Sequence, residues 1–129
     1  MIFTVGQKAT FSKKITERDV ATFAEISGDR NPLHLDENYA KGTRFGARIA
    51  HGGFTFAIIS AALGMELPGP GTVYMSQNLK FSKPVYFDDT ITAQIEITAI
   101  RADKGIVTLK TDCVNQRGDK IAEGEAVVF

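Results

Sequence analysis

A carboxylate and an imidazole lie five residues apart in the segment 27–36, SGDRNPLHLD. Between Asp29 and His34, Pro32 fixes its own φ and biases Asn31 away from helical geometry. The connection is therefore stiff and can aim both side chains at one point. Such a pair can activate water, because one group accepts a proton while the other orients the water or donates. The spacing equally allows a structural alternative, in which Asp29 and Asn31 form Asx-turns and His34 is a half-buried loop residue.

The second candidate is the segment 49–53, IAHGG, which leads into an apolar run. The first N–H groups of a helix lack intrahelical partners and carry partial positive charge. Gly52 and Gly53 let a ligand approach the backbone closely. This helix start is therefore a candidate oxyanion hole for a carbonyl oxygen. Tight packing of the helix against a strand is an equally good reason for the two glycines.

Two other polar features carry weaker chemical signals. Ser60 lies inside the apolar run without a Gly-x-Ser-x-Gly elbow around it. A hydrogen bond to the carbonyl four residues earlier is the simpler expectation for this serine. His34 and His51 are the only histidines, and with Asp29 they match no established metal-ligand spacing. We therefore expect no metal ion.

The loop 41–48, KGTRFGAR, contains basic residues and no acid. Its Arg44 and Arg48 place positive charge beside the candidate oxyanion hole. A solvated face is the ordinary explanation for such a loop. The loop could also receive the phosphates of a bulky anionic substrate, as could Lys80 and Lys83.

Length and composition bound the class of protein. The 129 residues are 43% hydrophobic and 23% charged, which is typical of a globular chain. Fifteen basic and fifteen acidic residues give no net charge, which argues against nucleic-acid or anionic-membrane partners. A lone cysteine, Cys113, rules out a disulfide framework. The longest apolar stretch, 54–65, is shorter than the roughly 20 residues of a membrane span. We expect one domain over residues 1–129, located in the cytoplasm.

The N-terminal half, which must position these groups, reads as short helices joined by loops. Thr16 is a good N-cap with Asp19 in the first turn, and Gly28 is a stop signal. Residues 37–41 are expected to make a further helical turn. The segment 54–65, FTFAIISAALGM, is apolar all round and predicts a helix without a solvent face.

The C-terminal half alternates with period two and predicts antiparallel strands. In 73–81 the odd-numbered residues form the predicted inner face, and 90–99 repeats the alternation. Residues 106–114 and 120–129 are joined by a turn at 116–119. The pattern favours an α+β fold in which a curled antiparallel sheet wraps the apolar helix, the architecture called a hot dog. An edge strand of such a sheet invites pairing with a second copy, so we expect a homodimer.

At these residues the sequence resembles the MaoC-like hydratases, and closely the (R)-specific enoyl-CoA hydratases. The likeness covers nearly the whole chain and includes the AHGG segment with its helix, the loop LPGPGTVYMSQNLKF and the strand KPVYFDDTITAQIEI. Its most specific element is Asp29-x-Asn31-Pro32-x-His34, which matches the family's hydratase motif. The resemblance implies a hot-dog fold with a long central helix, an overhanging segment that carries the motif, and a homodimer.

The resemblance also implies roles for individual residues. Asp29 and His34 are then the catalytic pair, and Asn31 supports their geometry. Gly52 is expected to offer its backbone N–H to a thioester oxygen, and Ser60 to line the active site. The further substrate contacts expected are His51, Gly53, Arg44, Arg48 and Lys80.

The reaction implied by the resemblance is reversible syn hydration of trans-2-enoyl-CoA to (R)-3-hydroxyacyl-CoA, with no metal or redox cofactor. Negative charge gathers on the thioester oxygen, so fixed N–H donors there lower the barrier. Two other reactions remain open on the same fold: dehydration of 3-hydroxyacyl groups on acyl carrier protein, and thioester hydrolysis. A non-enzymatic alternative is an acyl-CoA-binding module used for dimerisation.

Overall fold

The computed structural model describes residues 2–129, which form five strands and four α-helices. The elements are β1 (Lys8–Lys14), α1 (Glu17–Ser27), α2 (Pro32–Leu35), α3 (Glu37–Lys41), α4 (Gly52–Ala61), β2 (Tyr74–Phe81), β3 (Thr90–Arg101), β4 (Ile106–Val114) and β5 (Lys120–Val128). A π-helical turn, Ala62–Glu66, continues α4. Met1, which the predicted domain 1–129 includes, lies outside the described residues. Within residues 2–129 we find no helix with the length and hydropathy that crossing a membrane requires.

The strands form one antiparallel sheet in the order β1-β3-β4-β5-β2. Its inner face and α4 share a single apolar core. Fully or almost fully buried members of this core are Ile58, Ile59, Leu63, Ile91, Ile95, Ile97, Leu109 and Ile121. The α+β class and the hot-dog arrangement predicted from the sequence are therefore confirmed.

Helix α1 begins and ends where its sequence signals predict. The Thr16 hydroxyl accepts the N–H of Asp19, and the Asp19 carboxylate accepts the N–H of Thr16, so the two residues make a reciprocal capping box. Gly28 ends the helix with a φ of 81°, a conformation that glycine adopts without strain. These caps fix the point at which the chain leaves α1 and enters the motif segment.

The apolar composition of α4 predicts a helix without a solvent face, but in the single chain one side of this helix is open. Ile58 and Ile59 are buried, but a stripe of small residues along α4 and the following turn is partly or fully exposed in the single chain. The members of this stripe are Gly53, Ala57, Ser60 and Gly64. The sheet therefore covers one side of the helix and leaves the other open.

Strand β1 corrects the prediction that the N-terminal half is purely helical. Lys8–Lys14 pairs antiparallel with β3 along its whole length. The strand lies at the edge of the sheet, where only Ala9 and Phe11 pack against the core. Because most of its side chains are exposed and three are lysines, it lacks the apolar alternation that marked the other strands.

Strand β2 follows the predicted alternation only in part. Gln77 and Leu79 are half-buried on the inner side, but Met75 is 53% exposed and Tyr74 is half-buried in its place. A register shift between Tyr74 and Ser76 causes the difference, because an inserted residue moves the side chains that follow to the opposite face.

Candidate active site

Side-chain to backbone hydrogen bonds between neighbouring residues fix the segment that carries the motif. The Ser27 hydroxyl accepts the N–H of Asp29 at 3.1 Å, and Oδ1 of Asp29 accepts the N–H of Asn31 at 3.1 Å. Oδ1 of Asn31 in turn accepts the N–H of Leu33 at 3.0 Å and caps α2, whose first residue is Pro32. The Asx-turns of the structural alternative are therefore present, and they hold the motif in one conformation.

His34 is in the helix α2 and is buried, with 7% of its surface exposed, so it is not the half-buried loop residue of the alternative. Its Nδ1 lies 2.7 Å from the carbonyl oxygen of Ile49. Since a carbonyl can only accept, Nδ1 carries the proton, and the neutral ring has its free lone pair on Nε2. The chain at Ile49 is held by a bridge to Tyr86, and the N–H of Ala50 donates to the carbonyl of Val85 at 2.8 Å.

Burial lowers the pKa of His34, because removal from water disfavours the charged ring. The hydrogen bond to Ile49 and the carboxylate of Asp29 act in the opposite direction, while His51 lowers the pKa further. The net direction is downward from the ordinary value of 6.5. The neutral imidazole, which can accept a proton at Nε2, is therefore favoured at neutral pH.

The structure brings Asp29, His34 and His51 together. One carboxylate oxygen of Asp29 and one nitrogen from each ring lie within 4.8 Å of one another. Asp29 is exposed, whereas both rings are buried. A single water can bridge two groups at this separation, since each of its hydrogen bonds spans about 2.8 Å. The carboxylate and the imidazole can therefore share one water molecule, the arrangement that their spacing in the sequence suggested.

The same three residues are less suited to a metal ion. The rings of His34 and His51 stack with centroids 3.9 Å apart and planes inclined by 29°. An imidazole binds a metal in its ring plane at about 2.0–2.1 Å. With the two rings stacked in this way, no point lies in both ring planes and also about 2 Å from a nitrogen of each ring. The stacking thus disfavours a shared ion, and the expectation of no metal stays a prediction.

The start of α4 leaves backbone donors free to act. His51 occupies the N-cap position, and among residues 2–129 no side chain caps this end of the helix. The N–H of Phe54 donates to the carbonyl of His51 at 3.0 Å. The N–H groups of Gly52 and Gly53 lie before this bond, so they are placed to donate to a ligand.

The two glycines also allow close packing, as the alternative explanation proposed. A Cβ at Gly52 would lie 3.2 Å from Cζ of Phe81, and a Cβ at Gly53 would lie 3.1 Å from Cζ of Phe23. Both distances are shorter than an ordinary van der Waals contact. Packing and oxyanion binding are compatible here, because the first uses the missing side chain and the second uses the backbone N–H.

A cavity of about 260 Å³ opens at this end of α4. Its lining is mainly apolar and includes Gly52 and His51, together with the basic side chains of Arg44 and Lys83. Neither Asp29 nor His34 is in this lining. His51 links the cavity to the pair, because it lines the cavity and donates to the backbone carbonyl of Asp29. The cavity therefore places the free helix start near two basic side chains, of which Lys83 is also 3.6 Å from the carboxylate of Asp119.

Arg48 and Lys80, expected as substrate contacts, lie elsewhere. The guanidinium of Arg48 is 2.8 Å from the carboxylate of Glu17 and stacks over the ring of Phe87 at 4.7 Å. Arg48 therefore joins α1 to Phe87 in the loop between β2 and β3. Lys80 is exposed on β2, opposite Glu123 of β5. Neither side chain is in the cavity lining among the described residues.

Ser60 is on the exposed stripe of α4, more than two helical turns beyond Gly52. It lines a separate small cavity of about 60 Å³ with Leu63, Gly64 and Tyr74. In the single chain it is therefore not brought to Asp29 and His34, and its expected role in the active site stays a prediction.

Sequence reasoning missed two residues that shape the site. The carbonyl of Ile49 fixes the His34 tautomer, but a backbone group 15 residues away leaves no side-chain signal. Phe23 contacts the ring of His51 with centroids 4.9 Å apart. An apolar residue in a helix gives no sign of which distant ring it will contact.

A curled sheet around an apolar helix, with an acid–imidazole pair beside the helix start, defines a hot-dog protein with an acid–base site. The family model described as "MaoC like domain" matches residues 3–117. This protein belongs to that family, as the sequence motif predicted.

Two curated relatives are similar over most of their length. An (R)-specific enoyl-CoA hydratase of Rhodospirillum rubrum is 46% identical, with the match covering 96% of this chain and 85% of the relative. An (R)-specific enoyl-CoA hydratase of Aeromonas caviae is 47% identical, covering 96% of this chain and 92% of the relative. The solved structure of an (R)-hydratase from A. caviae superposes with a TM-score of 0.93 at 46% identity, over 98% of this chain and 96% of that one.

Proposed function

We propose that this protein is an (R)-specific enoyl-CoA hydratase, a hydro-lyase that adds water reversibly to trans-2-enoyl-CoA and yields (R)-3-hydroxyacyl-CoA. The observation that carries the proposal is the convergence of the Asp29 carboxylate and the His34 ring within 4.8 Å, next to the free start of α4. The two relatives of 46% and 47% identity support the choice of reaction.

In the proposed mechanism, Asp29 and His34 hold one water between them over the double bond. The water oxygen bonds to C3 of the substrate while the C2–C3 π bond breaks. One water proton passes to the pair, and a proton from the pair reaches C2 on the same face. The pair gains one proton from water and gives one proton to C2, so its proton count is unchanged at the end of the step.

Electron density from the π bond moves toward the thioester oxygen as water attacks. We assign the N–H of Gly52 as a donor to that oxygen, since it lines the cavity and lies in the uncapped first turn of α4. We assign Arg44 and Lys83, at the same cavity, to the phosphates of CoA. Water addition requires no redox cofactor, and CoA serves as the handle of the substrate.

The decisive test is the loss of activity on removing either member of the pair. Asp29→Asn and His34→Ala are each expected to lower kcat by at least ~10²-fold, because each removes a proton-transfer group. The assay follows the loss of conjugated-thioester absorbance when crotonyl-CoA is hydrated. Asp36→Asn is the matched control, since Asp36 lies in the same segment and caps α3, a role that asparagine also performs. Folded variants with wild-type rates would contradict the proposal.

The open alternatives give different outcomes in the same assay. Hydrolysis releases free thiol, which a thiol reagent detects. A carrier-protein dehydratase prefers 3-hydroxyacyl groups on acyl carrier protein to the CoA thioesters by kcat/KM. A binding module retains acyl-CoA without turnover.

Two further expectations have tests of their own. Activity that survives chelators fits the expected absence of a metal. Cell fractionation tests the cytoplasmic location, which we also propose.

We further propose that the protein is a homodimer. Helix α4 lies beside β2, because the ring of Phe56 on α4 contacts the ring of Phe81 on β2 with centroids 6.4 Å apart. Met75 and Phe81 on β2 are 53% and 47% exposed. A largely apolar helix face beside an unpaired sheet edge is a surface that a second copy can cover. Such a dimer would place Ser60 at the interface.

A further inference from the structure

His51 bonds to the backbone of one member of the proposed catalytic pair. The residue is 3% exposed, and its Nε2 lies 2.9 Å from the carbonyl oxygen of Asp29. Since that carbonyl can only accept, Nε2 of His51 carries the proton and donates it. The bond ties the exposed motif loop at Asp29 to the N-cap of α4, 22 residues away in the sequence.

The same ring packs against the other member of the pair. His51 stacks on His34 with centroids 3.9 Å apart, and Phe23 contacts His51 at 4.9 Å. Phe23 has little freedom to move, because its ring also stacks on Phe54 at 5.3 Å and lies close to Gly53. The position of the His34 ring is thus set by Ile49 through a hydrogen bond and by His51 through stacking.

The second nitrogen of His51 makes this ring less favourable to bury than an apolar ring. Among the described residues, Nδ1 of His51 is buried and has no hydrogen-bond partner. A buried acceptor without a partner is unfavourable, and an apolar ring of similar size would avoid it. The bond that Nε2 donates to Asp29 is therefore the feature that distinguishes histidine from phenylalanine here.

We propose that His51 is a positioning residue for the hydration reaction, which fixes the main chain at Asp29 by a hydrogen bond and the ring of His34 by stacking. This inference rests on the proposed function. It differs from the expectation that His51 contacts substrate, because a positioning residue acts on kcat through the pair. A shared water must lie within hydrogen-bond distance of both groups, so small displacements of either one lower the rate.

Three variants separate the two links. His51→Gln keeps an N–H donor without a ring, His51→Phe keeps a ring without the donor, and His51→Ala removes both. For His51→Ala we expect kcat for crotonyl-CoA to fall about 10²-fold, with KM within about threefold of the wild-type value. His51→Gln and His51→Phe are each expected to recover part of the loss. Ile97→Val, a buried change on β3 away from the site, is the control for general destabilisation.

A second measurement does not depend on turnover. The chain has only two histidines, so His34 is the one imidazole left in every His51 variant. Nitrogen-15 spectra of labelled protein report which ring nitrogen carries the proton. We expect His34 to be protonated at Nδ1 in the wild type and in His51→Phe, and to show exchange between tautomers in His51→Ala.

The outcomes distinguish this inference from the proposed function. A wild-type protein that does not hydrate crotonyl-CoA overturns the proposed function, and the spectra still test whether His51 fixes the His34 ring. The positioning role is overturned by a folded His51→Ala variant with wild-type kcat, by a change confined to KM, by a loss no larger than that of Ile97→Val, or by an unchanged His34 spectrum.

Discussion

At the scale of single residues, the hydrogen bond from Nδ1 of His34 to Ile49 decides which nitrogen can accept a proton. The bond holds the ring with Nε2 unprotonated in the neutral state. Burial then favours that neutral state by lowering the pKa of His34. The two effects together leave a proton acceptor beside the carboxylate of Asp29.

The lowered pKa of His34 predicts the direction of the acid limb of the pH profile. The groups that face this ring are the Asp29 carboxylate, the His51 ring and the Ile49 carbonyl. If neutral His34 is the active form, activity is retained below the ordinary value of 6.5 and is lost as pH falls through the lowered pKa. The measurement is kcat/KM for crotonyl-CoA against pH, which reports the free enzyme. An acid limb centred above 6.5 would contradict the assignment.

The role of Gly52 can be tested by removing its N–H alone. Gly52→Pro suits the first helical position, and the preceding His51 has a ψ of 142°, which a following proline tolerates. We expect kcat to fall by about 10²–10³-fold, because a donor to the thioester oxygen is lost.

Gly52→Ala is the matched control, since it adds the same Cβ against Phe81 and keeps the N–H. Its kcat should stay close to the wild-type value after the Phe81 ring adjusts. Equal losses in both variants would show that crowding at Phe81, rather than the missing donor, causes the effect.

At the scale of elements, β2 is held to the sheet through a close approach to β5. A Cβ at Gly124 would clash with the backbone oxygen of Asn78, because the two atoms would be closer than any non-bonded contact allows. The Asn78 side chain also accepts the N–H of Glu125 at 3.1 Å. Glycine at position 124 is therefore a condition for pairing β2 with β5.

Gly124→Ala is expected to lower the free energy of unfolding by about 3 kcal/mol, because the added methyl must displace backbone. Urea denaturation measures the change. Gly42→Ala is the control: its Cβ would make an ordinary 3.5 Å contact with the carbonyl of Tyr39, so we expect a change of only about 0.5 kcal/mol. If Gly124→Ala is no less stable than Gly42→Ala, then the sheet accommodates the added methyl group and glycine is not required at position 124.

The elements differ in how far the sequence predicts them. Thr16 and Asp19 cap the start of α1, and Gly28 caps its end. These caps are predictable because they involve only residues close in the chain. Strand β1 has no such signal, since it is defined by its pairing with β3 some 80 residues further on. The shift in β2 is likewise set by its partner, because a bulge changes which side chains face the core.

For the whole molecule, we expect the open side of α4 and the edge strand β2 to form the surface that the proposed dimer buries. Met75→Glu places a charge in that surface and should dissociate the proposed dimer, because a buried carboxylate without a partner is costly. Sedimentation equilibrium should give twice the 14.0 kDa chain mass for the wild type and a single chain mass for the variant.

Ile26→Glu is the control for this prediction, since Ile26 is 81% exposed on α1, a different element. It should leave the dimer intact. A wild-type protein that sediments as a single chain, or a Met75→Glu variant that remains dimeric, would show that this surface is not the interface.

Sequence alone was enough to predict the hot-dog class, the apolar helix, the later strands and the Asp29-x-Asn31-Pro32-x-His34 motif. These features depend on periodicity, caps and local turns, which act between residues close in the chain. The folded chain was needed to establish the tautomer of His34, the contact of His51 with both members of the pair, and the positions of Ser60 and Arg48 in the single chain. Those features depend on which distant backbone and side-chain groups meet when the sheet closes around the helix, and local sequence does not encode such meetings.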